Sequence, residues 1–155
     1  MYIAIVAILM FILPVACIAS EVLSGSTPLS LLLVGKWFVV WSVGARLLLA
    51  GLRQIFQPRY TAEVILSLKS TESLVLVREL GFANVAIGLL GAGSAFFPAW
   101  RPAAALAGGV FYGLAGANHV LRPHRGRLEN VAMVSDLWAA VVLLASFIAM
   151  FGHQS

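Results

Sequence analysis

The sequence predicts an all-α integral membrane protein, a bundle of about five transmembrane helices, and three observations carry that prediction. Hydrophobic residues make up 61% of the chain and charged residues only 10%, with a mean hydropathy of +0.99. Soluble domains carry about 25% charged residues because water must solvate their surface. This chain has too little charge to cover itself, so lipid must cover much of it. Its apolar residues fall in five runs of membrane-spanning length, and its basic residues gather at the ends of those runs. The length, 155 residues, suggests a single domain over 1–155.

The first run, Tyr2 to Ser20, lacks a basic leader and is long for a signal peptide. It reads as a retained helix, with cleavage as the alternative, and Pro14 predicts a kink in it. The second runs from about Leu29 to Ile55 and is stopped by Pro58. The third covers about Leu80 to Phe97, the fourth Pro102 to Leu121 and the fifth Val131 to Phe151. At 1.5 Å per residue each crosses roughly 30 Å of hydrocarbon. In the longest connection, Phe56 to Arg78, Thr61 is expected to cap a short turn. Val64, Ile65 and Leu68 would then form an apolar strip on the membrane surface. Ser70 or Thr71, with Glu72 in the first turn, marks a cap from which the third helix starts early.

Orientation follows from the basic residues. One side carries Arg53, Arg59, Lys69, Arg78, Arg122, Arg125 and Arg127, the other only Lys36 and Arg101. That asymmetry predicts a cytoplasmic N-terminus and an outer C-terminus in a bacterial inner membrane. Trp37, Trp41 and Trp100 fall toward the outer ends of their spans, where interfacial indoles belong, and Lys36 is expected to snorkel outward. Basic residues placed this way are topology signals, so a sequence pI near 9.8 does not point to nucleic acid.

Lipid tails are as apolar as leucine, so membrane helices associate through close packing. Ala105, Gly109, Gly113 and Ala117 recur every four residues on the fourth span and form one smooth strip, with Gly108 and Gly116 beside it. Gly81, Gly88 and Ala92 give the third span a less regular face. Helix packing explains such strips, and an exposed strip on the fourth span would favour a homodimer or docking of another membrane subunit.

A charge at mid-bilayer costs about 2.5–3.5 kcal/mol on insertion scales, so it faces the bundle interior and finds a partner. Arg46 lies about 13 Å from the inner end of its helix and Asp136 about 9 Å from the same side. Side-chain reach predicts that the two approach each other, directly or through water. Arg53, Glu79, Asn84, Asn118, His119, Glu129 and Asn130 also fall on that half, with Trp138 near Asp136, and together they could line a small cavity. Each has a plainer reading. Arg53, Glu79 and Glu129 could snorkel to headgroups, the asparagines could be interhelical hydrogen-bond glue, and His119 could be a packed boundary histidine.

Cys17 is the single cysteine, so no intrachain disulfide can form. His119, His124 and Glu129 match no metal-ligand spacing, and no metal is expected. No hydrolase, metalloprotease or nucleotide-binding fingerprint is present, and GFANVAIG lies inside a span.

GARLLLAGLRQIFQP (44–58) resembles the start of DoxX-like membrane proteins, with an arginine ahead of a leucine-rich helix, a polar pair and a closing proline. RELGFANVAIGLLG (78–91) is similar to the acidic, glycine-rich helix that follows there. With GLAGANHVLRP (113–123) and ENVAMVSDLW (129–138), the whole chain looks like a related bacterial family of small membrane proteins of unknown function. The resemblance implies a four-helix core, here preceded by the 2–20 span, and a link to redox or quinone-associated membrane complexes. Mapped onto it, Arg46, Arg53 and Glu79 are the positions of interest.

The expected function is therefore a small non-catalytic membrane protein, an accessory subunit or a binder of lipid or quinone. No cofactor is predicted beyond such a ligand, and membrane lipids are the expected partners. The alternative is an intramembrane enzyme on a lipid-like substrate. Five-helix sterol-isomerase proteins use acid, histidine, asparagine and tryptophan in a bundle, and Glu79, Asn84, His119, Asp136 and Trp138 offer similar chemistry. Glu79, His119 and Asp136 are its catalytic candidates. A third reading, an oligomeric transporter or channel, lacks the internal repeats of most carriers.

Overall fold

The computed structural model describes residues 1–68 and 70–152; Lys69, counted above with the inner-side charges, lies outside them. Among these residues five helices are long and apolar enough to cross a membrane: α1 Tyr2–Leu23, α2 Leu31–Phe56, α3 Glu72–Gly93, α4 Pro98–Leu121 and α5 Arg127–Gly152. The protein is an all-α bundle, as its composition requires. Many large apolar side chains point outward, among them Leu114, Val141, Ile148 and Phe151. Such a surface fits lipid rather than water.

The helix limits have local causes. In α1 a widened π-helical turn, Ile8–Ile12, directly precedes Pro14, whose ring would clash with the carbonyl four residues back in a regular helix. A second widened turn, Val39–Ala45, sits within α2, where the Arg46 amide bonds the Trp41 carbonyl five residues back. The third helix begins at Glu72, ahead of its apolar run, because the Ser70 hydroxyl accepts from the Ser73 amide at 3.3 Å. It also ends before Phe97, at Gly93, where Ser94 turns out and its hydroxyl bonds the Gly91 carbonyl at 2.6 Å. The expected cap at Thr61 is not formed: Thr61 lies inside a π-helical turn, Tyr60–Ile65, that starts just after Pro58, and its side chain is buried. Val64 and Leu68 stay exposed. At the end of α4, where the helix runs out of its own amide donors, Arg125 Nη1 reaches the carbonyls of His119, Val120 and Arg122, the first of which also accepts from the Arg122 amide at 3.2 Å.

Glycine sets the packing of α2 on α3. A Cβ added at Gly91 would lie 2.5 Å from the Gly44 nitrogen, and one at Gly51 would lie 2.7 Å from the Gly81 oxygen. Between them, a Cβ at Gly88 would lie 2.7 Å from the Leu48 nitrogen. The two backbones therefore touch along the seam, which is closer than any side chain permits.

The small-residue strip of α4 is covered from within the chain. Gly109 packs on Leu144, Gly116 on Leu137 and Gly113 on Ala140, all on α5, and Gly108 receives Val43 of α2. Ala105 is buried and only Ala117 is exposed. At the far end of the bundle Lys36 has a partner: its Nζ donates to Glu21 Oε1 at 2.5 Å, and Trp37 Nε1 donates to the same oxygen at 3.0 Å.

Candidate functional site

At the end of the bundle where α2 and α4 finish, the helices enclose a cavity of about 160 Å³. Spacing on the helices explains why polar groups meet there. Arg46 and Arg53 of α2, Tyr112 and His119 of α4, and Glu129 and Asp136 of α5 are each seven residues apart. Two helical turns bring such pairs back to one face, about 10 Å apart along the axis. Arg46, Arg53, Tyr112, His119 and Asp136 line the cavity, and Glu129 stands behind His119. Tyr2 and Ile5 of α1, Gln54 of α2, Leu80 and Asn84 of α3 and Tyr60 and Thr61 of the connecting turn also line it.

The polar contacts divide into two parts. One is internally satisfied. Glu129 is 1% exposed, and its Oε1 meets His119 Nδ1 at 2.9 Å and Arg122 Nη1 at 2.9 Å. Arg122 also donates from Nη2 to the Leu66 carbonyl at 3.0 Å, which ties the connecting segment to α4. With Nδ1 committed to the carboxylate, His119 is oriented on the cavity wall and its Nε2 has no partner among the described residues. Elsewhere Asn84 Nδ2 donates to Gln54 Oε1 at 2.6 Å, linking α3 to α2, while its Oδ1 is buried without a partner, and the Tyr112 hydroxyl donates to the Ser42 carbonyl inside the widened turn of α2.

The other part is not satisfied. Arg46 makes one long hydrogen bond, 3.5 Å from Nη2 to the Tyr2 hydroxyl, and lies 5.7 Å from that ring. Arg53 makes no hydrogen bond and no ion pair among the described residues; its guanidinium stacks 3.5 Å over the Tyr60 ring. The Nε atoms of both are buried without a partner. Asp136 is buried at the cavity wall, and its carboxylate likewise has no hydrogen bond among the described residues. Arg46 and Asp136 thus share the cavity and attract across it, without an ion pair closer than 4.0 Å.

Of the residues singled out from sequence, the cavity gathers Arg46, Arg53, Asn84, His119 and Asp136, with Glu129 behind. It does not gather Glu79, Asn118, Asn130 or Trp138. Glu79 and Asn118 are exposed on outer faces of their helices. Asn130 is exposed too, its Oδ1 taken by Arg125 Nε at 3.1 Å. Trp138 is 45% exposed and stacks on Phe11 of α1, away from Asp136. Sequence reasoning missed Tyr2, Tyr60 and Tyr112 as wall residues. Tyr112 carried a readable signal, since it stands seven residues before His119.

A family model matches residues 3–152, and the chain belongs to that family, DUF6790, a family of unknown function. No curated protein and no solved structure matches it.

Proposed function

We propose that this member of the DUF6790 family is a ligand-binding membrane protein. It holds the polar head of a lipid-soluble amphiphile, a lipid or a quinone, in the cavity and leaves its tail in the bilayer. The observation that carries the reading is the unsatisfied half of the site. Two guanidinium groups and a carboxylate face one small cavity without hydrogen-bonding each other. Polar groups left in an apolar interior are costly, and a bound head with acceptors and donors would satisfy them. A cavity of about 150 Å³ holds one benzene ring, so 160 Å³ suits a single ring or a headgroup of that size. The likeness of 44–58 and 78–91 to DoxX-like proteins supports a quinone among the candidates. Residence in a bacterial cell membrane with the cavity end cytoplasmic belongs to the same reading, supported by the arginines at that end.

Native mass spectrometry of protein extracted in a mild maltoside detergent tests it. The expected result is a near-stoichiometric small molecule that is lost from Ala115→Leu, which fills the cavity. A bare wild-type chain, or equal retention by Ala115→Leu, refutes the reading.

One observation favours a second reading, acid–base catalysis on the bound molecule. The Glu129–His119 pair presents an imidazole, oriented through its Nδ1, to a cavity that also holds Asp136. In that case His119→Gln retains substrate where the wild type retains product. Chemically identical ligands in the two preparations exclude it.

A further inference from the structure

We propose that the head of the ligand is an oxyanion, a carboxylate or a phosphate at the end of an alkyl or acyl chain, held between Arg46 and Arg53. The proposal rests on the ligand-binding reading above and adds the chemistry of the head.

Charge is the first reason. Glu129 is balanced by Arg122 and His119 and does not line the cavity. Glu63, on the connecting turn, is exposed and does not line it either. The charges left facing the space are two guanidinium groups and one carboxylate, Asp136. The cavity therefore holds at least one uncompensated positive charge, and a negative charge from outside the chain would offset it.

Geometry is the second. Arg46 and Arg53 stand two turns apart on one face of α2, so their side chains converge on the same space. The Arg53 guanidinium is covered on one side by the Tyr60 ring at 3.5 Å, which leaves its N–H edge as its remaining binding element. Arg46, 5.7 Å from the Tyr2 ring, spends one N–H on the Tyr2 hydroxyl and keeps the others. A guanidinium edge matches the two oxygens of a carboxylate or phosphate, and it matches a neutral alcohol or a single carbonyl less well. Burial of both Nε atoms without an acceptor is the third reason. Asp136 shares the cavity and still forms no ion pair with either arginine. The wall also carries apolar residues, Ile5, Leu47, Ala50 and Phe111 among them, which suit the first carbons of a chain.

The test measures thermal unfolding of the full chain in a neutral maltoside with three probes of one chain length: dodecanoate, dodecyl phosphate and dodecanol. Ligand binding to the folded state raises the unfolding temperature as its concentration passes Kd. Dodecanoate or dodecyl phosphate is expected to stabilise and dodecanol is not; whichever anion binds more tightly names the head. Arg53→Gln is expected to weaken that anion about tenfold or more, since hydrogen bonds to charged groups are the stronger ones. Arg53→Lys should restore part of the loss, and Arg127→Gln, outside the cavity, should change nothing. If dodecanol stabilises as well as the anions, the oxyanion head is refuted while the cavity still binds amphiphiles. If the anions act equally on wild type and Arg53→Gln, or lose their effect with Arg127→Gln, they bind the surface and the proposal fails. If none of the three stabilises and the co-purified molecule is neutral, the head is not an oxyanion.

Discussion

The seam between α2 and α3 predicts a sharp difference between two chemically identical substitutions. In Gly91→Ala the new methyl would sit 2.5 Å from the Gly44 nitrogen and 2.9 Å from the Gly44 Cα. Those are backbone atoms in the middle of a helix and cannot turn aside, so α2 and α3 must part by about 1 Å to reach ordinary contact. A gap of that size forfeits up to about half of each dispersion contact it opens, and over the seam the loss is on the order of 3 kcal/mol. In Gly113→Ala the methyl meets Ala140 Cβ at 3.6 Å, an ordinary contact. That variant should be neutral or gain slightly, since alanine favours a helix over glycine by up to about 1 kcal/mol. Thermal unfolding in detergent, monitored by loss of the monomer peak in size-exclusion chromatography, compares the two directly. Gly91→Ala should unfold well below wild type and Gly113→Ala at or above it. Equal unfolding temperatures for the two would refute backbone contact as the basis of the seam.

Two further outcomes are expected. In a double-mutant cycle with Gln54→Leu and Asn84→Leu, the two residues should couple by about 0.6 kcal/mol, and by no more than about 1.7; additive effects would mean that their 2.6 Å hydrogen bond contributes nothing. Reporter fusions should place the chain ends on opposite sides of the membrane, with a C-terminal alkaline phosphatase active and an N-terminal tag reached only in permeabilised cells. An inactive phosphatase with a cytoplasmically active C-terminal reporter overturns the orientation.

The fold was legible because the five apolar runs are long enough to cross a membrane and each became one long helix. Depth also located the polar half of the bundle, and hence Arg46, Arg53, Asn84, His119 and Asp136. What depth cannot supply is azimuth. Successive helical residues rotate by about 100°, so Asn118 beside His119 points outward while His119 reaches the cavity. Glu79 stands about 140° round α3 from Asn84, more than a turn away along the axis, and Trp138 about 160° round α5 from Asp136 at nearly the same depth; in each pair one residue is exposed on an outer face and the other lines the cavity. The seven-residue spacing was the missing filter, and it would have kept Glu129 with Asp136 and added Tyr112. Tyr2 and Tyr60 had no such signal. They reach the site from the start of α1 and from a connecting turn whose course depends on tertiary contacts, among them Arg122 to the Leu66 carbonyl.

The glycine seam also decides which wall of the cavity can serve as a door. Two helices in backbone contact cannot tilt or slide past one another without collision, so α2 and α3 behave as a single plate that carries Arg46, Arg53, Gln54 and Asn84 in fixed relation. The helix at the other side is held differently. Only 17% of the apolar window of α1 is buried inside the protein, against 44% for α2, and α1 closes the cavity with little more than Tyr2 and Ile5. On the ligand-binding proposal, a guest arriving sideways from the bilayer would meet least resistance there. The plate would hold the receiving groups still while α1 swings, so affinity and rate of entry would be set by different helices and could be altered separately.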